Sequence, residues 1–290
     1  MAIEDDINNT INEFMQQAGI VEDTVEEIAE ETIQEETVEE NTNFIPNNSE
    51  TALISEYTSR FSGADWFNQV LRERVLVAGI GGIGSYVSYL MSRLNVGSLT
   101  LYDDDKVEEG NLSGQLFMNS YIGQSKVSSA RMLNERFSSY YKTNDINTKY
   151  THSCIVEPNM ICGFDNMAAR KTFFESWNNY RLCLPFSERE NLLYIDARLA
   201  AEELQVFCFK GNDDYHINKY KDNWLFNDSE AEETQCSYKQ TSHMANMIGS
   251  IIVNLFVNNS YNKCEGVLFP RPVPFLTIYD SSLMLFKTID

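Results

Sequence analysis

Residues 75–79, Val-Leu-Val-Ala-Gly, form an unbroken apolar run closed by glycine, the pattern of a strand covered on both faces. Val87, Leu90, Met91 and Leu94 follow at i, i+3, i+4 and i+7, which predicts a helix. A second strand is predicted over 98–103, and a helix over Lys126–Phe137 with Ala130, Leu133 and Phe137 on one side. Further strands are expected at 160–164, 192–198 and 204–209. Met244, Met247, Ile248, Ile251 and Leu255 mark a helix within 242–256. Residues 274–280 and 283–286 read as a closing hairpin around Asp280-Ser281. Alternation of strand and helix predicts an α/β fold with a mostly parallel sheet and helices on both faces, extended by antiparallel strands at the end of the chain. No internal repeat is visible.

Ahead of residue 51 the pattern changes, which divides the chain into an N-terminal arm and linker (1–50) and a body (51–290). Ile7, Ile11, Phe14 and Met15 share one helical face, and Val21, Val25 and Ile28 repeat it more weakly. The rest of the arm is nearly pure negative charge, followed by a turn-rich linker. Fifteen of the 43 acids lie in residues 1–50 with no Lys or Arg, so −15 of the net charge of −21 falls there and −6 remains for the body. Two readings of the arm stand side by side: a docking segment for a basic partner, and a solvated tail. The body has no basic stripe, which argues against nucleic-acid binding.

Composition removes further classes. At 43% hydrophobic the chain has enough apolar residues for a core. It lacks a run of about 18 uncharged apolar residues, so no membrane span is expected. The acidic start has no basic n-region, so no signal peptide is expected and a cytoplasmic location is. The six cysteines, at 154, 162, 183, 208, 236 and 264, form no Cys-x-x-Cys pair. Reduced thiols and no structural zinc are expected. His152 and His216 have no motif partners and read as structural.

Candidate chemistry gathers after the first strand. Gly79-Ile80-Gly81-Gly82-Ile83-Gly84 stands between that strand and its helix, where glycines allow close approach to a phosphate and the helix end offers free N–H groups. Asp103 ends the second strand, where an acid accepts ribose hydroxyls in doubly wound folds. At this point NAD, FAD and ATP are all open.

The next residues narrow the choice. Asp103-Asp104-Asp105-Lys106-Val107 is followed by Asn111-Leu112-Ser113-Gly114-Gln115, then Gly123-Gln124-Ser125-Lys126, then Asp165-Asn166-Met167-Ala168-Ala169-Arg170. With the glycine motif, these five spaced elements resemble the E1-like adenylyltransferase superfamily of ThiF, MoeB and ubiquitin-activating enzymes. The resemblance runs over roughly residues 56–260 and implies a Rossmann-like fold. It also implies a homodimer and ATP·Mg²⁺-dependent adenylation of the C-terminal carboxylate of a small ubiquitin-like or sulfur-carrier protein. It assigns Gly79, Gly81, Gly82, Gly84, Asp103, Asp105, Asn111 and Gln115 to the nucleotide pocket. Lys126 would reach the phosphates and Asp165 would associate with magnesium. Arg60 would reach across a dimer to the partner's ATP, and Cys236 would receive the activated protein. Each also has a plainer reading: Lys126 and Arg60 as surface cations, Asp165 as the cap of the helix that follows, Cys236 as an idle thiol. The other cysteines read as small core residues, and Asp104 as solvent-facing charge.

One departure weakens the pattern. The family's Asn-Leu-x-Arg-Gln arginine is Gly114 here, a form that resembles a divergent, phage-type branch. Losing one charge-stabilising donor costs about 10²–10³ in rate. Either Arg60, Arg72 or Arg74 substitutes, or the chain is an E1-like pseudoenzyme that binds nucleotide or a partner without catalysis.

Overall fold

The structure, a computed structural model, describes residues 56–226 and 240–290. The acidic arm and Cys236 lie outside the described residues. After a short helix, α1 (Phe67–Val70), come β1 (Arg74–Ala78), α2 (Gly82–Leu94), β2 (Ser98–Tyr102), α3 (Lys126–Ser138) and β3 (Thr143–Ile146). Then follow β4 (Asn159–Cys162), α4 (Met167–Cys183), α5 (Phe186–Arg189), β5 (Leu193–Ala200) and β6 (Glu203–Lys210). α6 (Asp214–Trp224), α7 (Ser242–Asn262), β7 (Leu276–Asp280) and β8 (Leu285–Ile289) complete the order. The strands make one sheet in the order β3-β2-β1-β4-β5-β6-β7-β8. The first five are parallel and the last three join antiparallel.

Alternation within the central strands feeds two cores. Val75 and Val77 of β1 point to one face, where Val87 and Met91 of α2, Ala130 of α3, and Ile248 and Ile252 of α7 cover them. Leu76 and Ala78 point to the other, against Phe173, Phe174 and Trp177 of α4 and Ile217 and Tyr220 of α6. Burial on both sides is why β1 reads as a continuous apolar run. The amino end of β1 is anchored by Glu73, which receives Lys263 Nζ at 2.9 Å, Gln69 Nε2 at 2.8 Å and Asn159 Nδ2 at 2.8 Å.

The chain leaves β1 for β2 and β3 on one side, then returns to β4 on the other. This reversal opens a crevice at the carboxyl ends of β1 and β4, the place where such sheets bind ligands.

Several expectations need correction. Phe137 is not on the buried side of α3: it is 52% exposed and rests edge-on against Tyr89. Met247 is likewise exposed on α7. The final hairpin turns at 281–284, so Leu283 and Met284 lie in the turn and the last strand runs later than expected. Strand β3 (Thr-Asn-Asp-Ile) escaped notice because only pairing with β2 makes that polar edge segment a strand. Among the described residues no helix is long and apolar enough to cross a membrane.

Candidate functional site

The site begins where β1 ends. Gly79 turns with φ +83°, a left-handed backbone that side-chain-bearing residues resist. A Cβ there would stand 2.7–2.8 Å from the backbone of Gly163 and Phe164, so the turns after β1 and β4 touch main chain to main chain. Gly163 N donates to Ala78 O at 2.8 Å and closes the contact. Gly84 has no room for a Cβ against the Gly79 carbonyl. α2 starts at Gly82 with no side-chain cap at Gly81, so the first N–H groups of this helix face the crevice and favour an anion.

Asp103 holds this loop to the neighbouring strand. Ile80 N donates to its Oδ2 at 2.6 Å and Asp105 N to its Oδ1 at 2.8 Å. Burial raises the Asp103 carboxyl above its usual range, while Lys126 and the two amide donors pull the other way. Each carboxylate oxygen keeps a further lone pair for a ligand hydroxyl. Lys126 opens α3 and is only 7% exposed. Its Nζ meets Asp105 Oδ2 at 2.8 Å, an anion that offsets a cation at a helix amino end. The Lys126 amide also donates to Asp105 O at 3.0 Å. Asp104 is exposed, as expected, 3.9 Å from Lys149.

Residues 109–113 make a turn of 3₁₀ helix whose capping box joins Glu108 and Asn111, with Glu108 N donating to Asn111 Oδ1 at 3.0 Å. Asn111 O accepts from Gln115 N at 2.8 Å, and Leu116 N donates to Ser85 Oγ at 3.0 Å, which ties this segment to the first turn of α2. Gln115 thereby lies over Gly81, and its Oε1 is buried without a partner. Gln240, which no sequence signal singled out, lays its carboxamide against Gly82 and Gly114.

Asp165 stands two residues past Gly163, exposed at the other lip of the crevice. It does not cap α4. That role belongs to Asn166, whose Oδ1 accepts from Ala169 N at 2.8 Å while its Nδ2 lies 3.4 Å from Oδ1 of the exposed Asp165. The motif's arginine is structural: Arg170, buried, donates to the Asp196 carboxylate, to Phe164 O and, at 3.1 Å, to Ala197 O. Asp196 is fully buried and also receives Arg198 Nε and Tyr220 Oη, each at 2.9 Å. This network fixes the turn that carries Asp165. Its trace in the sequence is an acid and a base inside the apolar run Leu-Leu-Tyr-Ile-Asp-Ala-Arg.

Two proposed substitutes for the missing arginine are displaced. Arg74 is paired with Glu157 at 3.2 Å at the amino end of β1, and Arg72 precedes it, so both lie at the wrong end of the strand. Arg60 is exposed beside Phe61, whose ring stacks on Trp66, near the far end of α7, and does not join the site of its own chain. A cleft of about 460 Å³ between residues 62–65 and 261–267 is likewise remote from this chemistry. Of the cysteines, Cys162 and Cys208 are core residues, Cys154 and Cys264 half-buried, and Cys183 exposed, contrary to the reading of all as core. His216 pairs with Asp213 at 2.7 Å and stacks on Phe275, a structural setting.

A glycine-cradled helix end at the switch point of a doubly wound sheet defines a class of nucleotide-accommodating α/β folds. The ThiF family profile matches residues 55–288, and the chain belongs to that family. Among curated proteins it is similar to ubiquitin-like modifier-activating enzyme 5 of Caenorhabditis briggsae, 38% identical over 65 residues, 22% of this chain and 15% of that protein. The Culex quinquefasciatus protein of the same name is 39% identical over 64 residues, covering 22% of this chain and 16% of its own length. The chain thus matches only about a sixth of these relatives. Among solved structures, PaaA is similar with a TM-score of 0.61 at 14% identity, over 86% of this chain and 76% of that one. E. coli MccB, solved with ATP, gives 0.56 at 17% identity, over 84% and 72%. These likenesses establish the fold.

Proposed function

We propose that this chain binds ATP·Mg²⁺ in the crevice and adenylates the C-terminal carboxylate of a small ubiquitin-like, sulfur-carrier-type or peptide substrate. The observation that carries this reading is the convergence of a helix amino end without a side-chain cap, a buried Lys126 and an exposed Asp165 around one switch point. The residues fit the group: the buried, unpartnered Gln115 Oε1 at the loop is an acceptor for a ligand N–H or hydroxyl. ThiF membership, and relatives that are a modifier-activating enzyme and a protein solved with ATP and with N-formylated MccA, support the same chemistry.

In the proposed reaction a carboxylate oxygen attacks the α-phosphorus, the bond to the bridging oxygen breaks, and pyrophosphate leaves with its electron pair. Charge grows on the phosphate oxygens, where the α2 amino end and Lys126 stabilise it. Lys126 exchanges Asp105 for phosphate oxygens in this step. Asp165 would hold magnesium, which neutralises the leaving pyrophosphate. The division into an acidic arm and a single adenylation body, homodimerisation with Arg60 reaching the partner's nucleotide, and Cys236 as acceptor all belong to this proposal.

Magnesium-dependent exchange of labelled pyrophosphate into ATP, with a panel of small proteins ending in Gly-Gly and free peptides as probes, tests it. Exchange that Asp165→Ala abolishes supports the enzyme. Gly114, a buried position with no side chain, favours the second reading, a pseudoenzyme; ATP binding without exchange for any probe would select it.

A further inference from the structure

The glycine loop is covered by a side chain from a distant part of the chain. Gln240 lies just ahead of α7, and its backbone is fixed by a parallel bridge to Ala201 beyond the end of β5. A Cβ on Gly82 would overlap its Oε1 and stand 2.7 Å from its Cδ. A Cβ on Gly114 would stand 3.0 Å from its Cγ, 3.1 Å from its Nε2 and 3.2 Å from its Cδ. Two glycines from separate segments therefore bracket one carboxamide. Gly82 is the first residue of α2, so the bracketed group sits at the helix end that favours anions. Gln115 Nε2 lies 3.8 Å from the Cβ position of neighbouring Gly81, which puts a second carboxamide beside the first. Lys126, meanwhile, is engaged by Asp105.

We propose that Gln240 is a nucleotide-binding residue whose carboxamide donates to the phosphates at the amino end of α2, and that residue 114 is glycine because Gln240 passes over it. The proposal rests on the ATP-site reading above. A carboxamide suits the position because it has an acceptor at one end and two donors at the other. Oε1 is the carboxamide atom nearest the Cβ position of Gly82, the first residue of α2, and a half-turn about the terminal bond would put Nε2 there to meet a phosphate. A Cβ at 114 would make the Gln240 side chain give way by a few tenths of an ångström, and a longer side chain there would need the volume that Gln240 now fills.

The test is equilibrium binding of ATP·Mg²⁺ to the full-length chain, with NAD as a control. The variants are Gln240→Ala, Gln240→Glu, Gly114→Ala and the double Gly114→Ala/Gln240→Ala. Gln240→Ala should weaken ATP·Mg²⁺ by about 10- to 100-fold, the effect of one hydrogen bond to a charged group. Gln240→Glu keeps the shape and the fold but sets a negative charge against the phosphates, and should weaken binding at least as much. Gly114→Ala should weaken binding by displacing Gln240, and the double variant should be no worse than Gln240→Ala, because both act through one contact. Wild-type or tighter affinity in Gln240→Ala or Gln240→Glu, or losses that multiply in the double variant, would overturn the proposal alone. If the wild-type chain binds no nucleotide, the ATP-site reading falls and this proposal falls with it.

Discussion

Asp196→Ala removes the one carboxylate that buried Arg170 and Tyr220 and half-buried Arg198 share. Arg170 is 6% exposed, and Arg198 Nε and Tyr220 Oη each lie 2.9 Å from the same carboxylate. Arg198 keeps a bond to Trp224 O at 2.7 Å and lies over the Phe207 ring, so it retains partners. Arg170 keeps only neutral acceptors for a full charge, the Phe164 and Ala197 carbonyls and the Cys162 sulfur. Breaking a buried ion pair from one side costs about 3–5 kcal/mol because the remaining charge is uncompensated. For a domain of this size that is a fall in Tm of roughly 6–20 °C. The effect has a direction in space as well. Arg170 holds Phe164 O, so losing its anchor frees the turn bearing Asp165. Amide hydrogen exchange around 163–167 should rise more than in β1, which the network does not touch. Thermal unfolding and exchange read by mass spectrometry check both parts. A Tm change under about 2 °C would refute the claim that this network carries an uncompensated charge.

Other outcomes follow from the same structure. Lys263→Met strands Glu73 with only two neutral donors and should cost about 3 kcal/mol in urea unfolding, with Glu73→Gln/Lys263→Met recovering part of it. Burial, with Asp196 adding to it, pushes the Cys162 thiol up to about 12, so iodoacetamide at pH 8 should label exposed Cys183 and spare Cys162 and Cys208 until the chain unfolds. Asp103 has a raised carboxyl, so the folded state holds its proton more tightly. Its contribution is then full below 3.8 and lost as pH rises through the folded-state value. The stability of wild type relative to Asp103→Asn should therefore fall as pH rises across that window.

The sequence was informative where local pattern and tertiary role coincide. β1 and the glycine loop are both written in consecutive residues, and so are the two helices α2 and α3 that flank the site. The parallel strands β1, β2, β4 and β5 were legible because burial on two faces makes them mostly apolar runs, whereas the polar edge strand β3 was not. What stayed hidden depends on residues distant in sequence. Arg170 looked like part of a binding motif, yet only the fold shows that its charge is spent on Asp196, 26 residues away. Asp165 was freed from a capping role by its neighbour Asn166, a choice between adjacent residues that spacing does not decide. Gln240 stands in no motif, and its place over Gly82 and Gly114 exists only after the sheet is assembled. Arg72 and Arg74 failed for the complementary reason: closeness in sequence to the glycine loop hid a full strand length between them and the site.

The most direct test of the ATP site is thermal stabilisation of the full-length chain by ATP·Mg²⁺, ATP without metal, and NAD, with Asp165→Ala in parallel. A ligand at 100 times its Kd stabilises by about 2.7 kcal/mol, which corresponds to roughly 5–11 °C for this size of domain. The site described here predicts a shift in that range with ATP·Mg²⁺, a smaller one without metal or in Asp165→Ala, and none with NAD. No shift with any nucleotide, or an equal shift with NAD, would contradict it.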